Sequence, residues 1–143
     1  MAACCFFGHR DCPDTIKPRL REVLVQLIER DGVDQFYVGH QGAFDAIVLS
    51  VLRELALLYP QIRYDIVLAY MPQGKADFDT EMTQHTLLPE GIETVPRRFA
   101  IDRRNRWMLQ QSDYVVAYVT HSWGGAAKFA NEAKRLGKTV IEI

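Results

Sequence analysis

The sequence predicts an α/β protein, a three-layer Rossmann-like parallel sheet flanked by helices. The first observation is an alternation of short apolar runs, typical of buried strands, with longer runs whose apolar residues recur at spacings of three and four. The second is a glycine-containing turn between a strand and the following helix, which occurs three times. These turns are Gly8-His9-Arg10, Gly39-His40-Gln41-Gly42 and His121-Ser122-Trp123-Gly124-Gly125.

The first predicted elements are a buried strand over residues 3–8 and a helix that ends before Gly32. Either Asp14 or Thr15 would cap this helix, and Pro18 is compatible with its first turn. Apolar side chains then follow at helical spacing through Ile28.

The middle of the chain predicts a strand over residues 34–39, a largely apolar and buried helix over 43–59, and a strand over 64–70. A long polar loop over 73–89 has the length of a lid or a partner contact, and equally that of variable surface. A short fourth strand is predicted over 91–95.

The last third predicts a helix over residues 99–111, an apolar strand over 113–119 and a helix over 122–136. Gly137 ends that helix, and the final strand covers 138–143.

Length and composition indicate a single domain over residues 1–143, with 48% hydrophobic and 24% charged residues. The net charge of −1 makes nucleic acid an unexpected partner, because binding to phosphates needs a basic surface. No segment has the apolar length of a membrane span or the layout of a signal peptide. Three cysteines are present, and Cys4 and Cys5 would point to opposite faces of a strand. We therefore expect a cytoplasmic protein.

Parallel strands bring their carboxyl ends to one edge of the sheet, where ligands bind at the point of strand-order reversal. Glycines allow close backbone approach, and helix N-termini attract anions. These features predict a site for a phosphate-bearing small molecule. The candidate ligand-binding residues are Gly8, His9, Arg10, Gly39, His40, Gln41, Gly42, Asp45, Arg104, His121, Ser122, Gly124 and Gly125.

Several of these residues have more than one interpretation. The histidines at strand ends fit hydrogen bonding to phosphate or ribose, or a structural role in turns; no metal-ligand spacing is present, so neither a metal nor a cofactor is predicted. Asp45 would bind a ribose hydroxyl or stabilise the start of its helix. Trp123 would stack on a base or pack against a neighbour. Arg104 is suited to bidentate phosphate binding.

Five motifs in this order resemble the SLOG superfamily, a Rossmann-like group that includes the DNA-processing protein DprA and the Lonely Guy phosphoribohydrolases. Phe7-Gly8-His9-Arg10 with Pro13 resembles the "TGHRP" opening of one bacterial branch, and the segment from Gly39 to Asp45 resembles its "GGAxGxD" turn. The remaining matches are Arg104-Asn105-Arg106-Trp107-Met108 followed by Ser112-Asp113, Gly124-Gly125-Ala126, and Leu136-Gly137-Lys138.

The resemblance implies a nucleotide ligand, and it implies two possible uses of the site. Lonely Guy enzymes cleave the N-glycosidic bond of nucleoside 5′-monophosphates with an arginine and the glutamate of "PGGxGTxxE". Arg104 matches that arginine, but Asn131 or Phe129 stands where the glutamate is expected. Glu132 is adjacent, although one helical residue turns a side chain by about 100°. Binding without cleavage is therefore the leading hypothesis. Hydrolysis that uses Arg104, with Glu132 or Asp45 as the acid, is the alternative.

The same resemblance implies the biological role and the assembly. Superfamily members sense nucleotide-derived molecules, including NAD-derived signals in antiphage defence, so a sensor or sequestering protein is expected. The ligand would be a nucleotide, a cyclic nucleotide or an ADP-ribose derivative. Family members commonly pair through helices, which implies a homodimer.

Overall fold

The computed structural model describes residues 2–70 and 85–143. Within these ranges six strands form one sheet in the order β4-β3-β2-β1-β5-β6, and every pairing is parallel. The strands are β1 (Ala2–Gly8), β2 (Val33–Val38), β3 (Arg63–Val67), β4 (Thr86–Leu87), β5 (Tyr114–Tyr118) and β6 (Thr139–Glu142). The helices are α1 (Lys17–Glu29), α2 (Gly42–Leu58), α3 (Arg97–Gln111) and α4 (Gly125–Arg135). The predicted Rossmann-like α/β fold is confirmed.

The sheet is covered on both faces, as its continuous apolar strands require. Helices α1 and α2 pack together on one face, and α3 and α4 pack together on the other. Successive side chains of β1 point to opposite faces of the sheet, so they are divided between these two layers. Phe6 stacks on Phe36 in the first layer, and Phe7 stacks on Phe129 in the second.

The two adjacent cysteines follow the same alternation. Cys4 belongs to the layer beneath α1 and α2, and Cys5 belongs to the layer beneath α3 and α4. Both are free thiols with no exposed surface. Burial raises the pKa of the Cys5 thiol to about 12, so it is an inert core residue rather than a nucleophile.

One predicted strand is wrong and one strand was missed. Residues 91–95 contain a 3₁₀ helix, Ile92–Thr94, because Gly91 adopts a left-handed conformation (φ 81°) and its carbonyl accepts the Thr94 amide. The edge strand β4 lies instead at Thr86–Leu87, paired with the end of β3. A two-residue strand is too short to give a periodic pattern.

The predicted helix starts also need correction. A 3₁₀ turn, Asp14–Ile16, precedes α1, and neither Asp14 nor Thr15 caps that helix with its side chain. Helix α4 starts at Gly125 rather than at residue 122, because Gly124 has φ 93° and ψ 173° and cannot continue the helix. Of the long predicted loop, residues 73–84 lie outside the described residues. In the described ranges, no helix combines the length and apolar character needed to cross a membrane.

Candidate functional site

The sheet reverses its direction of growth between β1 and β5. Strands β2, β3 and β4 extend to one side of β1, whereas β5 and β6 extend to the other. The loops that leave β1 and β5 must therefore run to opposite sides, and they open a crevice between them. A cavity of about 550 Å³ lies there, which is within the size range of small-molecule sites.

Ten of the thirteen predicted binding residues line this cavity. They are Gly8, His9, Arg10, Gly39, Gln41, Asp45, Arg104, His121, Gly124 and Gly125. Ser122 is exposed and is not part of the wall. His40 and Gly42 line a separate cavity of about 260 Å³, and Gln41 and Asp45 form a wall of both cavities.

The Asp45 and Arg104 side chains both approach the backbone of Gly39. A Cβ atom on Gly39 would lie 2.8 Å from Asp45 Oδ2 and 2.7 Å from an Arg104 guanidinium nitrogen, so only glycine fits there. Both charged side chains are buried, and Arg104 is 3% exposed. Two elements distant in sequence, α2 and α3, thus bring a carboxylate and a guanidinium to one wall of the cavity.

Hydrogen bonds fix the orientation of the Arg104 side chain. Nε donates to Asn105 Oδ1 at 2.8 Å, and Nη1 donates to the Val67 carbonyl at 3.1 Å. Nη2 makes no hydrogen bond to any residue in the described ranges. Two of the three nitrogens therefore anchor the group, and the third remains able to donate to a ligand.

Burial raises the pKa of Asp45 from 3.8 to about 6, although Arg104 and the Gln41 amide both favour the charged form. Burial likewise lowers the pKa of Arg104, and Asp45 and Tyr70 oppose that change. Asp45 Oδ2 accepts the Gln41 backbone N–H at 2.9 Å. A buried carboxyl group that titrates near neutrality and faces a cavity can exchange a proton with a bound molecule.

The two helix N-termini near the cavity differ in whether their backbone N–H groups are free to bind an anion. At α2, the Gln41 amide donates to Asp45 and the Ala43 amide donates to the Arg10 carbonyl, so the protein satisfies these donors itself. At α4, no side chain caps the helix, and a Cβ on Gly125 would meet nothing within 4 Å. The open anion site is therefore the start of α4.

The glycines of the first two turns serve packing. A Cβ on Gly8 would lie 2.2 Å from the Phe44 ring, so Gly8 makes room for a core side chain. Gly42 has φ 85°, and a Cβ there would lie 2.8 Å from the Arg10 Cα. Gly42 thus lets the β1 loop cross the start of α2, and neither glycine acts mainly by admitting a ligand.

Three aromatic rings form a continuous stack along the cavity wall. His9 stacks on His121 with ring centroids 3.6 Å apart, and His121 stacks on Trp123 at 3.4 Å. The Thr120 backbone N–H donates to His9 Nε2 at 3.0 Å, which requires an unprotonated nitrogen. Burial and the neighbouring His121 lower the pKa of His9, which also favours its neutral form.

His121 completes this stack without a full set of hydrogen bonds. Its Nδ1 atom is buried and has no partner within the described part of the chain. No group of three or more His, Cys, Asp or Glu side chains in those residues is arranged to hold a metal ion. The stack therefore contributes flat aromatic surfaces to the cavity wall and contains a ring nitrogen, Nδ1 of His121, that has no hydrogen-bond partner among the described residues.

Glu132 does not lie in the cavity wall. It is a partly exposed residue of α4, where Arg135 of the same helix donates to both carboxylate oxygens. Arg135 lowers the pKa of Glu132 through these hydrogen bonds, so the group remains an ionised surface carboxylate. Of the two acids considered for catalysis, only Asp45 faces the site.

Sequence inspection missed a group of wall residues on α3. Ile101, Asn105 and Met108 line the cavity together with Arg104. Their spacing of three and four places all four side chains on one helix face. Once Arg104 was taken as a site residue, helical spacing alone would have indicated the other three. The other wall residues outside the predicted set are Phe6, Phe7, Asp11, Thr120 and Ala126, and Trp123, which the sequence offered as a residue that stacks on a base, also lines the cavity.

Comparison with known proteins supports the fold. No protein-family model and no curated protein matches the chain. A solved structure of DNA processing protein A from Helicobacter pylori, described for its single-stranded DNA binding mode, is similar with a TM-score of 0.67 and 16% sequence identity. The match covers 99% of this chain and 64% of that protein, so the chain spans about two thirds of its length. This chain therefore shares the Rossmann-like fold of DNA processing protein A.

Proposed function

We propose that the protein binds a nucleotide or a nucleotide-derived small molecule in the cavity between the β1 and β5 loops. The observation that carries this proposal is the convergence of the open α4 N-terminus, Arg10 and Arg104 on one cavity at the switch point of the sheet. An anionic group would accept hydrogen bonds from the α4 amides and from Arg104. Apolar side chains of β1 and α3 would contact the rest of the molecule.

The proposed biological role is that of a sensor or sequestering protein, as the resemblance to the SLOG superfamily implies. It follows from the same resemblance that the ligand belongs to the nucleotides, cyclic nucleotides or ADP-ribose derivatives. We also propose a homodimer in the cytoplasm on the basis of that resemblance.

Mass spectrometry of retained ligands tests this proposal. The protein is mixed with pooled nucleoside monophosphates, cyclic nucleotides, NAD and ADP-ribose derivatives, and retained species are compared with the free pool. We expect one compound to be retained unchanged. Retention of no compound contradicts the proposal.

A pair of arginine variants adds specificity to this test. Arg10 is exposed and lines the cavity, whereas Arg103 is exposed and does not. Arg10→Ala should weaken binding of the retained compound about 10-fold, the loss of one charge-assisted hydrogen bond. Arg103→Ala should leave the affinity unchanged. Equal effects of the two variants would indicate general electrostatic attraction.

Hydrolysis of a nucleoside 5′-monophosphate is the second candidate function, and the position of Asp45 favours it. This buried carboxyl group faces the cavity beside Arg104 and has a pKa of about 6, as a general acid near neutral pH requires. Free base and ribose 5-phosphate would then appear in the pool. Asp45→Asn would abolish their release, while Glu132→Gln would not.

A further inference from the structure

Trp123 is the most exposed aromatic side chain of the cavity wall, with 69% of its surface accessible. One face of the indole is stacked on His121, with an angle of 22° between the ring planes. The accessible surface must therefore include the opposite face. A large aromatic ring with one covered face and one open face can accept a further planar ring on the open side.

The covered side of the indole is held in place by the fold. His121 stacks in turn on His9, which is 9% exposed and lies directly after β1. The Thr120 amide fixes the His9 ring by donating to Nε2. The stack thus continues from the sheet edge to Trp123, so the open indole face is supported from behind.

The open face also has a defined position relative to the anion site. Gly124 and Gly125 follow Trp123 directly and form the uncapped start of α4. Both glycines and the indole line the same cavity. A molecule with its anionic group at the α4 amides would therefore carry its other groups next to the indole.

We propose that Trp123 is the stacking platform for the planar ring of the ligand. This inference rests on the proposed function and narrows it to anions that carry a nucleobase or a comparable flat heteroaromatic ring. The ligand ring becomes the fourth member of the stack His9, His121, Trp123. Stacking of this kind tolerates different bases, because every base has a π face.

Three compounds separate the ring from the anion: AMP carries both, ribose 5-phosphate carries only the anion, and adenosine carries only the ring. Because the base is not specified, GMP, CMP and UMP are titrated singly beside AMP. Calorimetry on the full chain gives the affinities. Tryptophan fluorescence of a Trp107→Phe variant reports on Trp123, since these are the two tryptophans of the sequence.

We expect at least one nucleoside monophosphate to quench Trp123 emission and to bind more tightly than ribose 5-phosphate. Trp123→Ala should lower the affinity for that nucleotide by between about 5-fold and 150-fold, which is the range expected for the loss of one base–aromatic stack. Ribose 5-phosphate affinity should stay unchanged, and Trp123→Phe should restore part of the loss.

The proposal is overturned if the wild-type protein binds a nucleotide and Trp123→Ala binds it equally well. A loss of ribose 5-phosphate affinity in Trp123→Ala also overturns it, because the indole would then support the α4 start instead. If none of these compounds binds and the pooled cyclic nucleotides, NAD and ADP-ribose derivatives are not retained either, the proposed function itself is contradicted. Sedimentation compares the mass of Trp123→Ala with that of the wild-type protein. A lower mass would show that the indole is buried between two copies of the chain, which also overturns the proposal.

Discussion

Three buried polar residues define the site at the residue scale. Asp45, Arg104 and His9 are each less than 10% exposed, and the other buried side chains of the described residues are almost all apolar. Charged groups are buried at a cost unless hydrogen bonds or opposite charges compensate it. For Arg104 the compensation comes from Asn105, Val67 and the nearby Asp45.

Asp45 gives the protein a specific pH dependence of stability. Its pKa is 3.8 in an ordinary environment and about 6 in the fold, so the folded state binds more protons between these values. The unfolding free energy due to this group therefore decreases as pH rises from about 4 to about 6, by on the order of 2–3 kcal/mol. Below about pH 3 and above about pH 7 the contribution is constant.

Urea unfolding of the wild type and of Asp45→Asn across pH 4 to 7 measures this effect. An asparagine keeps an oxygen that accepts the Gln41 amide, so the comparison isolates ionisation. The wild-type stability minus the variant stability should fall through the interval. If the stabilities of the wild type and of Asp45→Asn changed in parallel with pH, Asp45 would have the same pKa in the folded and the unfolded state.

At the scale of elements, two glycines of similar appearance in the sequence have different roles. Gly8 closes β1 against Phe44 of α2, and Gly125 opens α4 into the cavity. Gly8 is the last residue of β1 and Gly125 is the first residue of α4. Both belong to turns that the sequence predicts between an apolar strand and a helix, and the local sequence does not distinguish their roles. Their surroundings do, because one faces a ring and the other faces open space.

Alanine at each position tests this distinction. Gly8→Ala should lower the unfolding free energy by about 1–3 kcal/mol, because the new methyl group overlaps the Phe44 ring. Gly125→Ala should leave it unchanged or raise it by about 0.4–1 kcal/mol, since nothing lies within 4 Å. Chemical denaturation of both variants gives the values.

A second substitution confirms the cause of the Gly8 effect. Phe44→Leu shortens the opposing side chain, so it should recover part of the stability lost in Gly8→Ala. Simple addition of the two losses would instead show that overlap with the Phe44 ring is not the cause. Equal stability of the Gly8→Ala and Gly125→Ala proteins would contradict the assignment of roles.

At the scale of the whole molecule, the net charge bears on whether the chain binds nucleic acid. This chain has a net charge of −1, and its exposed basic side chains include Arg97, Arg98, Arg103 and Arg106 on α3. A basic helix on a neutral molecule attracts polyanions weakly.

We therefore expect weak binding to single-stranded DNA, with a Kd near or above about 10⁻⁴ M at physiological salt. Fluorescence anisotropy of a labelled oligothymidine of about 20 nucleotides measures it. A micromolar Kd that rises steeply with salt would contradict this expectation. Arg98→Ala combined with Arg106→Ala would then show whether α3 carries the contact.

The sequence by itself determined the class of fold and the edge of the sheet at which the candidate site lies. Strand and helix periods are local properties of the chain, so five strands and four helices were predicted with small errors at their ends. Short-range signals failed at residues 91–95, where the left-handed Gly91 starts a 3₁₀ turn, and at the two-residue strand β4.

Tertiary structure alone decided how the candidate site residues are arranged and how far they are buried. The approach of the buried Asp45 and Arg104 side chains to Gly39 and the stack of His9, His121 and Trp123 depend on the packing of elements far apart in sequence. That packing also leaves Glu132 out of the cavity wall. The same packing occupied the α2 N-terminus and left the α4 N-terminus open. Local patterns specify which groups reach the sheet edge; three-dimensional neighbours determine their burial, charge state and free surface.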